Sequence, residues 1–422
     1  MSVLQSLKSD VLPRLVGNGT FGTDKVRLIE YENDESTSAG IQYQSSVYFG
    51  NVVMETKNGD TSTQSVMIKT LPERLSETVA WSLERHTDLQ FQNELLFYSE
   101  ILPLLRKCDR DGEVTRIFPK FFHGSIKPGG SSVDNIIIIE NVQKLGFKHA
   151  DAKVFVDYEH IKLTLEWTAR FHALSYVCKK RFPREFQELG GRIQEMLWTR
   201  RRVLERWDKF YVEQGKRGIL PLQNDPNYRD RLEGISTAIQ EADLSMAKIV
   251  TPAEPLAVIC HGDLGCNNIF YRYDSSGSPS AVIFFDFGMI RHASPVIDLS
   301  FFLLVHASPD LRSQFWEDML SIYHSALRSN PDLGPRDFPS LEEVTVDFQR
   351  RGLYGYVHAA YWLPILLQEE ELEKWWTFTV EELIELRLRW GGERATRYVV
   401  EIVKHMIDKQ FDFSFINSIQ YE

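Results

Sequence analysis

Apolar and polar positions run in short β-like stretches over the first third of the chain and then change period. Lys25–Tyr31 (KVRLIEY) alternates and gives way to the polar stretch Glu32–Ser38. Ser46–Met54 and Ser65–Lys69 follow as two further strands, separated by Lys57-Asn58-Gly59-Asp60, whose Asn-Gly pair predicts a hairpin. Phe91, Leu95, Tyr98 and Leu102 recur at spacings of four, three and four, which predicts one face of a helix, ended or kinked by Pro103. Thr115–Phe122 and Asn135–Glu140 (NIIIIE) read as two more strands. This order predicts one mostly antiparallel sheet with a helix packed on it.

From about Gly146 the pattern turns helical, with helices expected over His160–Val177, Leu197–Tyr211 and Arg231–Val250. One β-rich island interrupts it: Ala257–Cys260 and Ala281–Phe285, separated by a polar turn containing Asp274–Ser280. Helical character returns from Leu299 to the end. The expected class is α+β: a small sheet-bearing lobe over residues 1–142 and a larger, mainly helical lobe over 143–422. A cleft between two such lobes is a preferred ligand site.

Composition narrows the possibilities. At 43% hydrophobic and 25% charged residues the chain has enough apolar surface to offset chain entropy, which excludes disorder as its main state. A net charge of −11 over 422 residues argues against sequence-independent nucleic-acid binding, which needs a basic surface. The longest apolar runs, such as Ile136–Ile139 and Phe301–Val305, are far shorter than the ~20 residues of a membrane span. The opening MSVLQSLKSDVLPRLV has no apolar core of secretory-signal length. Cys108, Cys178, Cys260 and Cys266 form no C-x-x-C pair and are too sparse for a disulfide scaffold. These features predict a soluble, cytoplasmic protein in a reducing compartment, acting as a monomer.

The β-rich island carries the chemistry. It reads His261-Gly262-Asp263, then Asn268, then a hairpin, then Asp286-Phe287-Gly288. Phosphoryl transfer needs a carboxylate near the attacking hydroxyl and oxygen ligands for Mg²⁺ on the phosphates. A hairpin after Asn268 would return Asp286 beside it. Singly, each of these residues reads as a polar turn or a cap; in this order, each after an apolar strand, they read as a site. Lys69 ends the third strand, from which an ammonium reaches phosphates, and Glu94 lies within the apolar stripe of the next helix as its partner.

Gly17-Asn18-Gly19-Thr20-Phe21-Gly22 matches G-x-G-x-x-G by letter, but it neither follows a strand nor opens a helix. It reads as an ordinary turn, with an auxiliary cover over the cleft as the alternative. Gly40–Ser46, between the first and second strands, is the expected phosphate loop, with Gly40, Ser45 and nearby backbone N–H groups as donors. Glu140-Asn141-Val142 is either a hinge whose backbone meets an adenine edge or a plain linker.

With these residues in view, the chain resembles the choline-kinase-like and aminoglycoside-phosphotransferase-like branch of the protein-kinase-like fold, and within it the ecdysteroid-kinase-like (CHK-kinase-like) family. The resemblance runs from roughly residue 25 to 400. It rests on Lys69-Thr70-Leu71-Pro72, the Phe91/Glu94/Phe97-Tyr98 helix, Glu140, Ala169–Ser175, His261-Gly262-Asp263 with Asn267-Asn268, Asp286-Phe287 and Ser294–Leu299. It implies a bilobal kinase-like domain that uses ATP and Mg²⁺ to phosphorylate a hydroxyl of a small molecule. Asp263 is then the base or hydroxyl-orienting group, Asn268 and Asp286 hold Mg²⁺, and Lys69 and Glu94 form the nucleotide ion pair. His261 and Asp298 support the catalytic loop, and His172 reads as core packing.

Two departures from the family pattern lie near the acceptor: Gly265 stands where an aromatic residue is usual, and Gly288 where glutamine is usual. A protein kinase is disfavoured, because His-Gly-Asp lacks the arginine that reads activation-loop phosphorylation and Ser294 follows Asp286 too closely for an activation segment. A non-catalytic binding protein on the same fold is the other alternative. The resemblance implies a hydroxylated lipophile as acceptor, steroid-like or xenobiotic, with choline-like cations and xenobiotic phenols or glycosides as open alternatives. All the tryptophans except Trp81 fall in the helical stretch, among them Trp198, Trp207, Trp362, Trp375, Trp376 and Trp390, mostly as core. Glu369, Glu370, Glu371 and Glu373 read as a solvated helix face.

Overall fold

The computed structural model describes residues 2–34, 46–71, 80–127, 130–199, 208–368 and 380–419. Gly40 and Ser45 of the expected phosphate loop, the Glu369–Glu373 cluster, and Trp207, Trp375 and Trp376 lie outside these described residues. The chain divides into two compact units. One comprises Met1–Pro103, Arg116–Lys148 and Ile283–Gly288; the other comprises Leu104–Thr115, His149–Val282 and Met289–Glu422. Relative to a single boundary after Val142, the segment bearing Asp286 joins the first unit and Leu104–Thr115 joins the second.

In the first unit the alternating runs become β1 (Lys25–Asn33), β2 (Ser46–Thr56), β3 (Thr61–Thr70), β4 (Phe121–Ser125) and β5 (Ile136–Glu140). They form one antiparallel sheet in the order β1-β2-β3-β5-β4. Side chains alternate across a strand, so Val66 and Ile68 of β3 face one way and Lys69 the other. Val66 and Ile68 join Val52, Met54, Ile136 and Ile138 in a core closed by Leu7, Val11, Leu12, Leu15 and Val16. Each of these side chains contributes roughly 1.5–3 kcal/mol by leaving water. All four isoleucines of β5 are buried, which is why that strand reads as an unbroken apolar run.

The N-terminal helical segment, ending in Leu12–Gly17, is an element the strand-centred reading omitted, although Leu4, Leu7, Val11 and Leu15 carry helical spacing. Gly17–Gly22 is the turn joining it to β1, closed by Gly19 N–H to the Val16 carbonyl and Gly22 N–H to the Gly19 carbonyl, both 3.0 Å. One expectation is corrected, and one is narrowed to a single alternative. The strand foreseen from Thr115 starts only at Phe121, because Thr115 N–H is taken by the Asp109 carboxylate (2.7 Å) and Pro119 lacks a donor. The helix does not stop at Pro103. Ala80–Leu96 passes through a π turn, Phe97–Ile101, into Leu102–Cys108, and the wider turn accommodates the missing N–H.

In the second unit, Asp157 caps the helix Tyr158–Arg181 by accepting from His160 N–H (3.0 Å). The helix expected over Arg231–Val250 breaks at Glu241 into Glu233–Gln240 and Ala242–Ile249. Of the helix expected over Leu197–Tyr211, the part from Asp208 lies in the described helix Asp208–Ile219, and the Glu195 carboxylate accepts from the Met196, Leu197 and Trp198 N–H groups. The island contains two separate strand pairs. β6 (Val258–Cys260) joins β9 (Arg291–Ala293), while β7 (Ile269–Tyr273) and β8 (Pro279–Phe284) form the hairpin. The Asp274 carboxylate organises that turn by accepting from Ser276 N–H (2.8 Å) and Ser278 N–H (3.1 Å), so β8 meets its nearest neighbour in sequence rather than β6.

The helix Val296–His306 is buried on every side, and Leu353–Leu366 packs against it. Trp198 and Trp390 are core residues. Cys108 and Cys178 are joined by a disulfide (Cα–Cα 5.9 Å), a link the reducing-compartment expectation did not include, while Cys260 and Cys266 are buried thiols. No helix among the described residues is long and apolar enough to cross a membrane.

Candidate active site

In the first unit, β3 delivers Lys69 to the face of the sheet opposite the Val66/Ile68 core. Its Nζ donates to Glu94 Oε1 (2.8 Å) and Oε2 (3.0 Å), and Asp286 Oδ1 lies 3.1 Å away. The Lys69 and Glu94 side chains are 2% and 5% exposed, whereas that of Asp286 is 42% exposed and open to a ligand. Asp286 has φ +66°, a left-handed conformation costing a β-carbon residue about 1–2 kcal/mol. The next residue holds it there: the Phe287 ring stacks on Phe97 at 3.7 Å and meets the edge of Phe118 at 5.4 Å. Phe287 N–H also hydrogen-bonds the Glu94 carboxylate.

Burial works against the Lys69 charge, but the Asp286 and Glu94 carboxylates outweigh it and raise the ammonium's pKa. Burial pushes the Glu94 carboxyl up to about 7 against the opposing pull of Lys69. The two shifts favour opposite charge states of one pair, and the third group reconciles them. One ammonium answers two carboxylates, so Lys69 stays charged, while the buried Glu94 carboxyl takes up a proton more readily than an ordinary glutamate.

In the second unit the His-Gly-Asp loop is gripped by Asp298. This fully buried carboxylate accepts from His261 N–H and Gly262 N–H, both at 2.7 Å, and lies 3.1 Å from His172 Nε2. Burial would favour its protonation, but the hydrogen bonds from His172 and the loop hold the carboxyl below the ordinary aspartate value. His172 Nδ1 lies 2.9 Å from the Tyr323 hydroxyl, so His172 is both core and part of this polar network. Gly262 has φ +81°, and a Cβ there would collide with the Met289 carbonyl, so this loop tolerates only glycine.

Asp263 N–H donates to His261 Nδ1 (3.3 Å). Asn268 Nδ2 donates to Asp263 Oδ2 and to the Asp263 carbonyl, both at 2.9 Å, and Asn268 Oδ1 accepts from Asn267 Nδ2. At Gly265 a Cβ would run into Asn267 Oδ1, so glycine suits this arrangement of Asn267. Gly288 sits against Gln90, with 3.2 Å between their Cβ positions.

The predicted residues thus gather in two groups. Lys69, Glu94 and Asp286 meet in the first unit; His261, Asp263, Asn268 and Asp298 meet in the second. Glu140 ends β5, its N–H committed to the Lys120 carbonyl (2.8 Å), and the buried Val142 accepts through its carbonyl from Phe147 N–H (3.4 Å).

His306 has no signal in the motif. Its Nε2 accepts from Cys266 N–H (3.1 Å), and its Nδ1 donates to the Val154 carbonyl (2.8 Å), which fixes a neutral ring at the turn leading to Asn268. Burial pulls its pKa down to about 4. The native state therefore binds fewer protons than the unfolded chain between about pH 6.5 and 4, so stability is full above 6.5 and falls as the pH drops through that window. Denaturation midpoints followed from pH 7 to 4 should lose on the order of 3 kcal/mol through this group. His306→Gln should flatten that slope, and parallel slopes in the two proteins would contradict the assignment.

The sequence matches the model of the ecdysteroid kinase-like family over residues 39–332. No curated protein matches it. Among solved structures it is similar to a microcompartment-associated aminopropanol kinase (10% identity, TM-score 0.45, covering 89% of this chain and 96% of that one). It is also similar to a GDP complex of aminoglycoside 2'-phosphotransferase-IIIa (11%, 0.36, 86% and 93%) and to a choline/ethanolamine kinase family protein from Mesorhizobium loti (11%, 0.36, 86% and 90%). With most of its length matched, including both clusters just described, the chain belongs to the ecdysteroid kinase-like family and is a phosphotransferase of the small-molecule kinase class.

Proposed function

We propose that this protein transfers the γ-phosphoryl group of ATP to a hydroxyl of a small, lipophilic metabolite, an ecdysteroid-like steroid or a hydroxylated xenobiotic. The observation that carries the reading is the Lys69 ammonium held between Glu94 and Asp286. A buried lysine fixed in this way presents a positioned charge to the α/β-phosphates. The Glu140 carbonyl and the Val142 N–H face the adenine edge in this reading.

Asp263 accepts the proton of the acceptor hydroxyl as its oxygen bonds to the γ-phosphorus, while the bond to the β-phosphate oxygen breaks and ADP leaves. Asn268, hydrogen-bonded to the Asp263 carboxylate, fixes that carboxylate's rotamer. Asn268 and Asp286 would hold Mg²⁺, which supplies charge neutralisation at the phosphate oxygens. ATP as the donor favours a cytoplasmic setting, and the Cys108–Cys178 disulfide stands against it.

The test is a panel of hydroxylated metabolites incubated with the protein and γ-labelled ATP, with transferred phosphate read by mass. Transfer should stop when Mg²⁺ is chelated. Asp263→Asn should reduce it about 10²–10⁴-fold while the protein stays folded, as expected when a general base is removed. Asp286→Ala should abolish Mg²⁺-dependent transfer. Normal turnover in the Asp263 variant would refute its role as base, and normal turnover in the Asp286 variant would refute its role as metal ligand.

A further inference from the structure

The Gly262–Asp263 peptide is held at its carbonyl as firmly as Asp298 holds the loop's N–H groups. Arg291 Nη1 donates to the Gly262 carbonyl (3.1 Å), and the Tyr354 hydroxyl donates to the same oxygen (2.9 Å). The same Nη1 lies 3.0 Å from the Tyr354 hydroxyl and 3.3 Å from the Met289 carbonyl. The opposite edge of the guanidinium meets Glu195 in a fork: Nε to Oε2 at 2.6 Å and Nη2 to Oε1 at 2.9 Å. Arg291 is 3% exposed, and β6–β9 pairing sets it directly opposite Cys260, the residue before His261.

Glu195 is fixed in turn. Its Oε1 accepts the N–H groups of Met196, Leu197 and Trp198 at 2.9–3.1 Å. Arg291 and these donors overcome the effect of burial and keep the carboxyl below its ordinary pKa. In kinases that depend on a loop arginine, a phosphate added to another segment supplies the anion that orders the site. In this chain the loop has glycine at that place, the arginine comes from β9, and the anion is a carboxylate encoded in the sequence.

We propose that Arg291, Glu195 and Tyr354 are positioning residues that fix the Gly262–Asp263 peptide, and that Glu195 takes the part of an ordering phosphate, so the loop is assembled without covalent modification. The proposal rests on Asp263 being the base in phosphoryl transfer. A bidentate arginine–carboxylate pair is the geometry best suited to such a fixed clamp.

The test uses the full chain with MgATP alone, measuring its slow hydrolysis to water and, separately, hydrogen exchange of the 261–263 amides. Glu195→Gln keeps the shape and removes the charge. It should speed exchange at Asp263 by about tenfold or more, and lower kcat with KM for ATP unchanged. Tyr354→Phe, which keeps the ring, should give a smaller change in the same direction should Glu195→Gln fail to fold. Wild-type protein shown by mass to carry no phosphate should turn over at the same rate before and after phosphatase treatment. Unaltered loop exchange in the folded variants, or turnover that requires phosphorylation, would overturn the proposal. A wild type with no ATP turnover would count against the kinase reading, while the exchange data would still decide the clamp.

Discussion

One ammonium buried between two carboxylates organises the first unit. An isolated lysine at 2% exposure would lose its proton or force the sheet open, because water no longer solvates its charge. Glu94 stabilises the charge from the helix, and Asp286 does so from the segment after β8. Removing Lys69 would leave two carboxylates with no cation between them, which is why sheet, helix and Asp286 strand end are mutually constrained. Asp286 keeps its left-handed backbone because the stacked Phe287 ring supplies packing that offsets the strain.

The second unit uses the same logic with backbone groups in place of an ammonium. Asp298 meets two consecutive loop N–H groups, and Arg291 with Tyr354 meets the carbonyl between them and Asp263. His306 anchors the turn that carries Asn268. The Asp263 carboxylate is therefore carried by a loop whose backbone is held by buried side chains far away in sequence. In this way a loop, ordinarily the mobile part of a fold, can present a side chain in a fixed orientation.

Much of this was legible in the residues. Lys69 ends an apolar strand and Glu94 interrupts an apolar stripe, and each such exception to patterning demands a partner. Asp263 and Asn268 read as one polar cluster by order and spacing, and they are hydrogen-bonded. What escaped was set by contacts distant in sequence. Glu195 and Arg291 lie 96 residues apart, and neither stands in a periodic run. The three-residue β9 is too short for alternation to show, so its pairing with β6 was invisible. Local competition explains one shifted boundary: Asp109 took the Thr115 N–H.

The most direct measurement is calorimetric titration of ATP into the wild-type protein and into Lys69→Met, each with and without Mg²⁺. The account predicts Mg²⁺-enhanced binding to wild type and a loss of affinity of at least about tenfold in the folded variant, because a positioned charge on the phosphates is gone. Equal affinity in the two proteins, or binding indifferent to Mg²⁺, would contradict it.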